Sequence, residues 1–101
     1  MLTLPIKKKW YDMILSGEKK EEYRDITPYY RKRFQTIGLL NEEGVATFRN
    51  AVVVFRNGYT KESPNFKARV TLREKGGRCE WGAVRWRKYY VLLILEVINN
   101  E

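Results

Sequence analysis

The chain has 101 residues, no histidine, one cysteine and a formal charge of +8, from 20 Lys and Arg against 12 Asp and Glu. One cysteine excludes an internal disulfide and a cysteine-based metal cluster. The absence of histidine removes the commonest general base and metal ligand, so any chemistry must run on Lys, Tyr, Glu, Asp, Ser or Thr.

The length suits one domain over residues 1–101. A basic balance of this size points first to phosphate-rich partners, because neutralising phosphates releases condensed counterions. The apolar part of MLTLPIKKKW is too short for a signal peptide, and the longest apolar run, Tyr89 to Leu95, is far short of a membrane span. The expectation is a cytoplasmic protein with no membrane partner and no disulfide.

Leu2, Leu4 and Ile6 alternate as a strand does, with Pro5 suiting an edge. Trp10, Met13 and Ile14 then recur at helical spacing, and Gly17 stands where a glycine closes a helix, which predicts a helix from about Lys7 to Ser16. Its first turn carries Lys7, Lys8 and Lys9, which oppose the helix dipole and suit a bound anion as well as a solvated face. Lys19 to Arg24 reads as a strand with Lys20, Glu22 and Arg24 on one face and Lys19, Glu21 and Tyr23 on the other.

Thr27-Pro28 is an N-cap and first-turn pair opening a second helix to about Ile37, stopped by Gly38. Tyr30, Phe34 and Ile37 form its apolar stripe, and Arg31, Lys32 and Arg33 cluster in its middle turn. Leu39 to Asn50 gives no clear pattern beyond a short strand and a loop around Asn41–Gly44. Ala51 to Phe55 is a buried strand ended by Asn57-Gly58, and Thr60 to Asn65 is a loop. Phe66, Ala68, Val70 and Leu72 alternate with basic residues, so this strand is half-buried. Gly76-Gly77 turns the chain, and Tyr89 to Ile98, the most apolar strand, is expected near the sheet centre. Trp10 and Phe34 are expected in the core, with Tyr29 exposed and able to stack on a base. The order implies an α+β fold: a small, partly open mixed β-barrel of five or six strands, with two helices in the amino-terminal half.

Gly17, Lys19, Glu22 and Arg24 fit the G-x-K-x-x-E-x-R pattern, and Glu80-Trp81-Gly82-Ala83 precedes Tyr89-Tyr90-Val91. In these stretches the chain resembles small bacterial and phage-type ASCH domains of the PUA-like superfamily. The resemblance implies a PUA-like barrel with a positively charged cleft beside the first helix, and RNA as ligand. It also implies an alternative, since some relatives are amidohydrolases on modified cytidine nucleosides and one is a ribonuclease. Lys19 would then be catalytic. Glu22 stands where those relatives carry threonine, and the acid could be Glu74, Glu80 or Glu96.

The residues themselves favour binding over proton abstraction, because Glu22 beside Lys19 keeps the lysine protonated. The candidate catalytic residues are Lys19 and Glu22, and the candidate phosphate or RNA contacts are Lys7, Lys19, Lys20, Arg24, Tyr29, Arg31, Lys32 and Arg33. Lys19 is expected to project at a ligand, Arg24 to offer a planar fork that Glu22 orients, and the basic clusters to converge on one cleft. Trp81 and Trp86, interleaved with Arg78, Arg85, Arg87 and Lys88, are the residue types that readers of single-stranded RNA use. A non-catalytic RNA-binding module is the first reading. A hydrolase is the second, and a domain that binds an acidic protein is the third. None calls for a metal or cofactor.

Overall fold

The computed structural model describes residues 1–98. Five strands form one curled half-barrel sheet: β1 (Thr3–Pro5), β2 (Glu21–Arg24), β3 (Asn50–Arg56), β4 (Asn65–Gly76) and β5 (Lys88–Ile98). The helices are α1 (Lys8–Leu15) and α2 (Pro28–Thr36), and a 3-10 turn spans Cys79–Trp81. The spatial order is β1-β3-β4-β5-β2, with β1 parallel to β3 and the other pairs antiparallel. The α+β architecture and barrel-like curl are as expected. β4 is the middle strand, and β5 lies between it and the β2 edge. No helix among the described residues is long and apolar enough to cross a membrane.

The local signals act where the sequence places them. Gly17 adopts φ 87°, which lets the Lys19 N–H reach back to the Met13 carbonyl at 2.9 Å and turns the chain from α1 into β2. The Thr27 hydroxyl accepts from the Tyr30 N–H at 3.2 Å, with Pro28 in the first turn of α2. Leu39 and Leu40 enter the core directly after α2, and Leu40 bridges Ala46 across a tight turn.

Each sheet face has its own cover. On one, α1 and α2 bring Ile14 and Phe34 onto Leu4, Val53, Phe55, Phe66, Val70, Leu72, Tyr90 and Leu92. On the other, Ala83 packs with Tyr89 and Val91, flanked by Tyr23 and Leu93. The period of two sorts β5 between these layers, and a bulge opposite Arg69/Val70 resets it, leaving Leu95 as an extra, exposed residue. The segment between β4 and β5 is therefore a lid on the sheet.

Candidate functional site

β2 pairs with β5 in a register that sets Glu22 opposite Leu92 and Arg24 opposite Tyr90, on the face that carries the helices. Tyr23 lies opposite Val91, on the face under the lid. Lys19 precedes the strand, so strand alternation does not govern it, and its side chain reaches groups from both faces. Its ammonium donates to the Trp81 carbonyl and lies 3.2 Å from Glu22 Oε1. The Trp10 and Tyr23 rings stand 4.4 and 4.9 Å from it. The placement of Lys19 and Glu22 on opposite faces is thus corrected.

The other Glu22 oxygen, Oε2, accepts from Arg24 Nη2 at 2.8 Å. Arg24 Nη2 also donates to the Pro5 carbonyl at 3.0 Å, and Nη1 to the Tyr30 hydroxyl at 3.3 Å. Glu22 therefore joins both cations, one per oxygen, and orients Arg24 as expected. Lys19 is 1% exposed and Glu22 6%. Burial pushes the lysine below its usual range, and the Glu22 carboxylate opposes that shift. The expectation that Lys19 projects at a ligand is corrected: its ammonium is enclosed by a carboxylate, a carbonyl and two rings. Removing these charges from water is costly, and the partners offset it except at Arg24 Nε, which is buried without a hydrogen-bond partner.

This network holds the lid. Lys19 grips it at Trp81, and the Tyr23 hydroxyl accepts from the Arg78 N–H at 2.9 Å while donating to Glu21 at 2.8 Å. Asp25, just past β2, pairs with Arg87 at 2.7 Å. Gly77 crosses the Tyr23 ring so closely that a Cβ there would clash with it and with Ala83, and Gly82, at φ 102°, would bring a Cβ to 3.0 Å from Trp10. Trp10 is half-buried over Lys19 and outside the main core, which corrects its expected place. Phe34 is a core residue as expected.

The outer side of the lid is cationic and aromatic. Trp86 is 90% exposed at φ 68°, with the Arg85 guanidinium 5.1 Å from its ring. A β-carbon residue held at positive φ costs roughly 1–2 kcal/mol. Arg78 lies 4.5 Å from the half-buried Trp81 ring and pairs with Glu80 at 2.8 Å. Gly76, Gly77, Cys79, Arg85, Trp86, Arg87 and Lys88 line a hollow of about 420 Å³.

The remaining candidates are dispersed. Lys7 borders a hollow with Pro5, Ile6 and residues 57–59, whereas Lys20 borders another between the end of α1 and residues 94–97. The exposed Arg31 lies against Gly44, and the exposed Lys32 follows it on α2. Arg33 stacks 4.6 Å over the exposed Tyr29, which meets Tyr30 edge-on. Lys20 shares its hollow with Lys19, but Lys7, Tyr29, Arg31, Lys32 and Arg33 do not converge on one cleft with Lys19 and Arg24. Of the candidate acids, Glu96 shares the Lys20 hollow with Lys19 and pairs with Arg69 at 3.4 Å. Glu80 is held low by Arg78, and Glu74 is exposed on β4. The docking roles of Trp10, Tyr23 and Asp25 were missed from sequence. The glycines opposite the rings, Gly77 and Gly82, were the available signal. Compared with protein-family models, with curated proteins and with solved structures, the chain gave no match in any of the three.

Proposed function

We propose that the chain is a non-catalytic module that binds single-stranded RNA on the outer side of the lid, residues 78–88. The observation that carries this reading is the display of Trp86: an aromatic ring almost wholly in solvent, held at positive φ and flanked by Arg85, Arg87 and Lys88 above a hollow. Burying that ring against the core would recover about 1.5–3 kcal/mol, so a backbone that holds it outward forgoes a large term. A base stacked on it recovers a comparable amount, roughly 1–3 kcal/mol, whatever its sequence, and the neighbouring cations suit the phosphates. The charge of +8 supports the same ligand class. In this reading the Lys19–Glu22–Arg24 network is the support of the site, and the resemblance of its pattern to ASCH domains points to the same class of ligand.

The test is the affinity of a fluorescent oligouridylate across a salt series. Log affinity falls linearly with log salt, and Trp86→Ala weakens binding about 5- to 150-fold at unchanged melting temperature. Absence of binding at micromolar protein, or an affinity that Trp86→Ala leaves untouched, overturns the reading.

One observation favours the second reading, a hydrolase acting on acylated cytidine or RNA: burial lowers Lys19 beside a carboxylate, as a catalytic lysine requires. Against it, the ammonium is already committed to Trp81 and Glu22. Turnover of either substrate by the wild type and not by Lys19→Ala would establish it.

A further inference from the structure

Phe48 and Trp86 are the two non-glycine residues at positive φ among the described residues, and both are exposed aromatics beside an arginine. Phe48, at φ 63° and 67% exposed, has the Arg73 guanidinium 4.1 Å from its ring. That guanidinium is fixed by donating to the Leu72 carbonyl at 3.0 Å and the Thr71 hydroxyl at 3.3 Å. An arginine on one side of each ring leaves the other side for a ligand.

One stretch of chain links the two platforms. Arg73 and Lys75 pair with Val91 and Tyr89 of β5, which places them on the lid face of the sheet. Arg73, Glu74 and Lys75 border a hollow of about 710 Å³ with Phe48, Val45 and Leu93. Gly76 and Gly77, the next residues along the chain, border the hollow under Trp86. The chain thus passes from one platform to the other without interruption. Along the track, Arg73, Arg85 and Lys88 form no ion pair among the described residues. Lys75 is paired with Glu21 at 2.9 Å, and Glu74 is the exposed acid on the rim. The balance favours a polyanion with bases to stack, over an acidic protein that would bring charge alone.

Resting on the RNA-binding reading, we infer that one RNA strand lies along residues 73–77 of this face, with one base on Trp86 and another on Phe48. The four steps from residue 73 to residue 77 span about 13 Å of extended chain, against a stacked step of about 3.4 Å between neighbouring bases. A dinucleotide therefore engages one platform, and an octanucleotide reaches both.

The experiment compares labelled diuridylate and octauridylate on wild type, Trp86→Ala, Phe48→Ala and Phe48→Trp. The octanucleotide binds the wild type more tightly than the dinucleotide. Phe48→Ala weakens the octanucleotide about 5- to 150-fold, and Phe48→Trp restores it, which separates stacking from misfolding. An octanucleotide that binds through Trp86 but is indifferent to both Phe48 variants overturns the two-platform track and leaves RNA binding standing. If neither oligonucleotide binds, the RNA reading falls and the track with it.

Discussion

Residues 19–25 and residues 78–88 are both crowded with charge and aromatic rings, yet the fold treats them in opposite ways. The first segment turns three of its charges inward: Lys19, Glu22 and Arg24 form a chain of partners, with two rings over Lys19. The second turns its charges outward, with Arg85, Trp86, Arg87 and Lys88 all exposed. The difference lies in what each segment meets. β2 is hydrogen-bonded to β5 and covered, so its ions must be paired; the lid is anchored at Trp81, Arg78 and Arg87 and keeps Arg85, Trp86 and Lys88 in water. Charge density alone does not distinguish a buried support from an open face. Number of available partners does.

The largest way to break the contrast is at Lys19. Lys19→Ala strips Glu22 of one partner and the Trp81 carbonyl of its donor, and lowers stability by about 3–5 kcal/mol. Lys19→Met, which keeps the stem between the rings, recovers part of that loss. Chemical denaturation measures both, and equal stability of wild type and alanine variant would mean the network supports nothing. Gly77→Ala acts at the seam between the two segments. Its methyl group meets the Tyr23 ring and Ala83, and overpacking of this kind costs about 1–3 kcal/mol. Amide exchange at Arg78, whose N–H the Tyr23 hydroxyl accepts, speeds up in that variant.

The smallest effect at neutral pH comes from Tyr23. Burial raises its hydroxyl above the ordinary value of 10.0. The folded chain keeps a proton that the unfolded chain gives up, so the stabilisation is complete below pH 10.0 and is lost as the pH rises beyond it. Tyr23→Phe removes that loss. Melting temperatures followed from pH 8 to 11 should fall more steeply for wild type than for the variant, and parallel curves would contradict the assignment.

Much of the fold was legible because short-range signals decided it. Gly17 and Thr27-Pro28 bounded the helices, and the alternation through Phe66, Ala68, Val70 and Leu72 marked the buried face of β4. The candidate site was legible only in part. The pairing of Glu22 with Arg24 follows from strand period, two residues apart on one face. The burial of Lys19 does not, because its partner is a carbonyl 62 residues away that alternation cannot reveal. Trp10 fits a helical core stripe in sequence, yet it covers the lysine because the lid brings Gly82 against it. Phe48 carried no signal at all, since the role proposed for it depends on Arg73, from a different segment, and on a positive φ.

The claim that the outward segment is the binding face and the inward one its support is tested most directly by nuclear magnetic resonance during titration with octauridylate. Of the three tryptophan indole N–H signals, that of Trp86 moves most, accompanied by the backbone amides of residues 85–88, while the amides of Lys19, Glu22 and Arg24 stay in place. Shifts centred on Lys19, Arg24 and the α2 cations, with the Trp86 indole unmoved, would contradict it.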